Sequence, residues 1–214
     1  MKYVLIFLAL CCCAFAEAQT TMIPDQKFEQ ILVDRGIDSD GQVNGQVLTS
    51  DIDTIQALNL NAANLPGNEM ITNLQGIEAF AALQHLDCAY NNITQLDLTN
   101  NTQLITLHCE YNNIASLKVN GLNQLTLLYC QGNAFFTPDP VTGNPTSYYF
   151  LNLDQCPSLT MMNATNCPNL ICIQVANVMD ANSAIGQYAN WMKDLTATYS
   201  QCCPCVYPGQ FSGQ

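Results

Sequence analysis

The stretch Leu83-Gln84-His85-Leu86-Asp87-Cys88-Ala89-Tyr90-Asn91-Asn92-Ile93 returns 21 residues later as Leu104-Ile105-Thr106-Leu107-His108-Cys109-Glu110-Tyr111-Asn112-Asn113-Ile114. It begins a third time at Leu125 and runs through Leu128 and Cys130 to Asn133. Apolar residues at fixed offsets of a fixed period mark one structural unit per repeat. Such a unit cannot bury its own Leu and Ile. It stacks on its neighbours, and the core grows along the chain.

A second level lies ten residues on, as Ile93-x-x-Leu96-x-Leu98 and Ile114-x-x-Leu117-x-Val119, and, displaced by an insertion of 13 residues, as Tyr148-x-x-Leu151-x-Leu153. Half-repeats of 10 and 11 residues predict coils with a first and a second short strand on opposite sides. Leu159-x-x-Met162-x-Ala164-x-x-Cys167 and Leu170-x-x-Ile173-x-Val175 continue the register downstream. Ile55-x-x-Leu58-x-Leu60 and Ile71-x-x-Leu74-x-Gly76 continue it upstream, giving about five coils over residues 55–178.

The pattern resembles the leucine-rich repeat, Leu-x-x-Leu-x-Leu-x-x-Asn/Cys-x-Leu, with Cys88, Cys109 and Cys130 in place of the third Leu. The opening Ile23-Pro24-Asp25-x-x-Phe28-Glu29, the turn Gly36-Ile37-Asp38-Ser39-Asp40-Gly41 and Leu48-Thr49-Ser50-Asp51-Ile52 look like the N-terminal cap of exported bacterial leucine-rich-repeat proteins. The resemblance covers nearly the whole mature chain. It implies a leucine-rich-repeat solenoid, β-rich, with helical caps at both ends, acting as a surface or secreted binding protein without a cofactor.

Residues 1–18 read as a signal peptide: Lys2, an apolar run from Val4 to Phe15, and the Ala16-Glu17-Ala18 cleavage pattern. The run is too short to span a bilayer comfortably. The expected location is secreted or cell-surface, with the periplasm as alternative. The rest divides into an N-terminal cap (19–54), a solenoid (55–178, with an insertion at about 136–148) and a C-terminal cap with a Cys-rich tail (179–214). In the first cap, Phe28, Ile31 and Leu32 share a helical face over residues 25–35. In the last, Ile185, Tyr188, Trp191, Met192 and Leu195 predict a helix from Asn182 to Leu195.

Five Lys and Arg face seventeen Asp and Glu, a formal charge of −12. Such a surface repels phosphate backbones, so nucleic acid is an improbable partner. Cys88, Cys109 and Cys130 should form an inward column of thiols. Cys156 and Cys167 stand where the repeat takes Asn or Cys. In an oxidising compartment Cys172 should bridge to Cys202 or Cys203 and clamp the tail. A metal site in Cys202-Cys203-Pro204-Cys205 lacks two spaced pairs. Asp38, Asp40 and Asn44 match three positions of a calcium loop, but Gly36 and Val47 stand where oxygen ligands belong, so a plain polar turn is expected.

Alternation along the strands lays out the first-strand face: His85, Asp87 and Ala89 with Tyr90; Thr106, His108 and Glu110 with Tyr111; then Leu127, Tyr129 and Gln131. Tyr90 should stack near Tyr111, and Asp87 should lie beside His108 and Tyr129. The opposite face is mostly Thr, Gln and Asn with Asp97 and Lys118. The insertion adds Phe136 and Tyr149. The expectation is a non-catalytic protein that recognises a protein or glycan through His85, Asp87, Tyr90, His108, Glu110, Tyr111, Tyr129, Phe136 and Tyr149. A structural envelope or matrix component is the alternative. A remote third reading gathers His85, Asp87, His108 and Glu110 around a metal such as zinc. No nucleophile, zincin or phosphate-loop motif is present.

Overall fold

The computed structural model describes residues 19–64, 70–138 and 145–203. Residues 1–18, expected to be a signal peptide, the centre of the insertion, and Pro204 and Cys205 of the tail lie outside these residues.

The chain opens with β1 (Thr20–Met22) and α1 (Gln26–Asp34), then β2 (Gln46–Leu48), antiparallel to β1, and the single turn α2 (Thr49–Ile52). Asp25 starts α1 because its Oδ1 accepts the amides of Lys27 and Phe28. Phe28, Ile31 and Leu32 are buried beneath it, as their spacing predicts. Asp25 Oδ2 reaches across to the amides of Thr72 and Asn73, tying the cap to the first coil. Burial alone would raise the Asp25 carboxyl, but the hydrogen bonds from Thr72, Phe28 and Asn73 hold it below its ordinary range.

The coils follow. In chain order the strands are β3 (Ala57–Asn59), β4 (His85–Asp87), β5 (Gln95–Asp97), β6 (Thr106–His108), β7 (Ser116–Lys118) and β8 (Leu127–Tyr129). Then come β9 (Phe136–Pro138), β10 (Pro145–Asn152), β11 (Met161–Ala164), β12 (Leu170–Gln174), the helix α3 (Val178–Ser183), β13 (Asn190–Lys193) and β14 (Thr198–Ser200). The first strands form a parallel six-stranded sheet in the order β13-β11-β8-β6-β4-β3. The second strands form β5-β7 and the sheet β14-β12-β10-β9 on the other side. This is a leucine-rich-repeat solenoid.

Register stacks like on like. Leu58, Leu86, Leu107, Leu128, Met162 and Trp191 are successive Cα partners, one column through six rungs. Asparagines seal the turns between rungs. Asn112 accepts the amide of Ile93 and donates to the carbonyls of Cys88, Cys109 and Glu110. Asn91 and Asn133 do the same one coil away on each side. Cys167 takes this position in a later coil and donates from Sγ to the Cys130 carbonyl.

The C-terminal end departs from the expected helix. Helix α3 ends at Ser183, where Ala184 turns left-handed (φ 51°) and Gly186 follows at φ 61°. Residues 190–193 are then a strand that extends the first-strand sheet. Only part of the expected apolar face is covered: Tyr188 and Trp191 are buried, whereas Ile185 and Met192 are about half exposed and Leu195 wholly so. Tyr188-x-x-Trp191 is a Leu-x-x-Leu pair written in aromatics, so the segment forms a sixth rung. Trp191 donates its indole N–H to the Leu159 carbonyl.

Cys88, Cys109 and Cys130 form the expected buried column, and they are free thiols, as are Cys156 and Cys167. Burial pushes the first three well above the ordinary thiol range and holds Cys156 and Cys167 at about 11. A buried, protonated thiol is a poor nucleophile. Iodoacetamide at about pH 8 should therefore leave these five cysteines unmodified in the native protein and label them after denaturation. Mass-spectrometric detection of alkylated Cys109 in the folded chain would contradict the buried column. Of the two tail partners considered for Cys172, the bridge forms with Cys203, at a Cα–Cα distance of 5.6 Å. The Cys172 offset nominally faces outward, but the bridge itself covers it, leaving 2 % exposed.

Candidate functional site on the first-strand face

The exposed side of the six-stranded sheet carries the candidate residues. Cα pairing sets His85, Thr106 and Leu127 in one row and Asp87, His108 and Tyr129 in the next, as the repeat offsets require. His85 Nδ1 lies 2.9 Å from the Thr106 hydroxyl. His108 stands edge-on to Tyr129 with centroids 5.0 Å apart, and its Nδ1 is 3.6 Å from Glu110 Oε1. The Tyr129 hydroxyl points at Met161 Sδ on the next strand. A shallow groove lined by Arg35, Asn59, His85, Asp87, Thr106 and His108 runs along the N-terminal half of this face. Arg35 is anchored there by donating to the Asn59 carbonyl.

Beyond the strand ends, four first-strand turns, those after β4, β6, β8 and β11, have a residue in the left-handed region: Tyr90 (φ 58°), Tyr111 (φ 53°), Gly132 (φ 72°) and Asn166 (φ 55°). All four sit two residues past the column of Cys88, Cys109, Cys130 and Ala164. Gly and Asn adopt this conformation readily, whereas a bulky residue pays of order 1–2 kcal/mol for it. Tyrosine occupies it twice. The two rings stack 4.8 Å apart at 23°, and each residue is 43 % exposed. Tyr111 packs its other face on Gly132, where an added Cβ would fall 2.7 Å from the ring.

Glu110 is the electrostatic oddity. Its side chain is 13 % exposed, and Oε2 is buried with no donor. Gln131, at the same position of the next coil, also has a buried Oε1 with no donor. Burial raises the Glu110 carboxyl above its ordinary range. The backbone and His108 oppose the shift, and the charge of Asp87 adds to it.

One expected feature differs. Ala89 is fully buried, because β4 stops at Asp87 and the turn ends the in–out alternation. His85 bonds to Thr106, and among the described residues no three His, Cys, Asp or Glu side chains converge on one point. In the insertion, β9 and β10 pair as an antiparallel hairpin with Phe136 opposite Tyr148. The side chains of Phe136 and Tyr149 lie outside the described residues, while Phe135 is core.

The cap holds one residue whose role the sequence did not show. Glu29 is fully buried, and its carboxylate accepts the amides of Asn44, Gly45 and Gln46. Asp38 and Asp40 accept amides within their own turn, and Asp40 also accepts the Asn44 side chain. The loop closes on protein donors. One oxygen, Asp38 Oδ2, stays buried without a donor. Burial, with the charges of Asp40 and Glu29, pushes that carboxyl up.

No family model matches the sequence, and no curated protein does. Solved structures do. One is described as the functional domain of InlJ from Listeria monocytogenes, which includes a cysteine ladder. It is 25 % identical at a TM-score of 0.48, over 74 % of this chain and 38 % of that one. Another is an internalin, inlF, from the same organism, 16 % identical at a TM-score of 0.46, over 80 % of this chain and 56 % of that one. This chain thus spans less than two thirds of either. The architecture described here stands on the rungs and their register.

Among the described residues no helix is long and apolar enough to cross a membrane.

Proposed function

We propose that this protein is an exported, non-catalytic recognition module that holds a protein or glycan partner on its first-strand face. The observation that carries the reading is the pair Tyr90–Tyr111. Each tyrosine sits at a backbone conformation its bulk disfavours, stacked on the other and open to solvent. Strain of this kind persists where the surroundings over-determine it, and it gathers at functional sites. Tyrosine offers wide contact area at little entropic cost. His85, Asp87, His108, Glu110 and Tyr129 lie on the same three rungs, and a parallel sheet gives them a rigid base.

The opposite side supports no such reading. A recess there is lined by Thr72, Asn73, Asn92, Thr94 and Gln95, all polar and uncharged. Lys118 is paired with Asp97 at 2.8 Å, both about half exposed, an arrangement worth little energetically.

The test is capture from the native extracellular milieu, with mature protein and the double variant Tyr90→Ala/Tyr111→Ala as parallel baits. A partner retained by the first and lost by the second supports the face. A partner retained equally by both, with unchanged thermal melts, removes it.

A further inference from the structure

Two side-chain acceptors go without a donor on the rungs that carry the aromatic residues of the first-strand face. Glu110 Oε2 and Gln131 Oε1 lie on neighbouring rungs, each buried without a donor. The Glu110 carboxyl has one neighbour able to carry positive charge, His108 at 3.6 Å, which is charged only when protonated. Asp87, on the preceding rung, adds negative charge. The thiols of Cys88, Cys109 and Cys130 lie beneath and contribute no cation.

The described residues hold four Lys and Arg, and none serves this spot. Arg35 is held at the N-terminal margin by Asn59. Lys193 donates to the carbonyls of Ala197 and Asp194. Lys118 is paired with Asp97 on the far side, and Lys27 belongs to the cap helix. A partly desolvated carboxylate short of positive charge is an unfavourable arrangement that an incoming cation relieves. The adjacent tyrosine rings favour the same visitor, because a cation is drawn to an aromatic face. A neutral sugar brings hydroxyl donors but no counter-charge.

Resting on the recognition reading above, we infer that the partner is a protein presenting a Lys or Arg side chain, which docks beside the Tyr90–Tyr111 stack against Glu110. The chain's net charge of −12 favours the approach of such a basic segment. Because the free Glu110 carboxyl is held above its ordinary range, docking of a cation lowers it and releases protons on binding.

The experiment uses a lysine-rich peptide and the same peptide with every lysine acetylated. Each is titrated by calorimetry into the mature protein near pH 5.5, in two buffers of different ionisation enthalpy. The expected result is binding of the free peptide at least tenfold tighter than of the acetylated one, with net proton release. Glu110→Gln, checked for folding by thermal melt, removes the proton release and most of the acetylation effect. Lys118→Ala preserves both.

Equal behaviour of the two peptides, or of wild type and Glu110→Gln, overturns the cationic docking site. So does preference for a neutral oligosaccharide over either peptide. The two readings fail separately. A captured partner lost on Tyr90→Ala/Tyr111→Ala but indifferent to Glu110→Gln leaves the recognition face standing and refutes the cation.

Discussion

Leu107→Ala should lower the free energy of unfolding by about 2–5 kcal/mol, the range for deleting a buried leucine where the cavity cannot fully collapse. Leu107 is fully buried and lies in register between Leu86 and Leu128, with a thiol column beside it. Each coil contacts only its neighbours, so a defect in the middle of the stack weakens two interfaces at once. Urea unfolding followed by circular dichroism measures it. Lys118→Ala, on an exposed pair, should stay within about 0.5 kcal/mol of wild type. If both variants unfold at the same urea concentration, the column is not core.

Removing the bridge by Cys172→Ser/Cys203→Ser should cost roughly 3–4 kcal/mol. That is the loop-closure value for a cross-link spanning a sequence separation of 31 residues. The loss should be local first. Hydrogen exchange should speed up across residues 170–203 before it does in β4, β6 and β8, because the bridge joins β12 to the tail just past β14. Peptide mapping without reductant should recover Cys172 linked to Cys203. Recovery of Cys172 as a free thiol, or uniform acceleration of exchange along the solenoid, would refute the clamp.

The central coils were legible because every core position repeats at one period, so Leu86, Leu107 and Leu128 could be placed in register from spacing alone. The same arithmetic placed Asp87 beside His108 and Tyr129, and Tyr90 beside Tyr111. It failed where side-chain type changed but geometry did not. Tyr188-x-x-Trp191 fills a Leu-x-x-Leu slot with aromatics, and the accidental helical spacing of Ile185, Tyr188, Met192 and Leu195 hid the sixth rung.

The left-handed turn had a signal that went unused. Gly132 and Asn166, residues suited to positive φ, stand at the same offset as Tyr90 and Tyr111, and aligning the coils on one another exposes it. Glu29 had no such signal. A lone carboxylate beside Phe28 on a helix says nothing of the three amides that Asn44, Gly45 and Gln46 bring to it from another part of the chain. The unpaired oxygens of Glu110 and Gln131 likewise follow from how neighbouring rings and rungs exclude donors, which spacing does not encode.

The most direct test of recognition on the first-strand face is calorimetric titration of the captured partner into Tyr111→Ala and Lys118→Ala, with folding checked by thermal melts. Truncating an aromatic anchor should cost at least about 1–2 kcal/mol of binding, a five- to thirtyfold loss of affinity. Truncating a rim lysine on the opposite strands should change it less than about twofold. Equal affinities for the two variants would contradict the account and take the partner off this face.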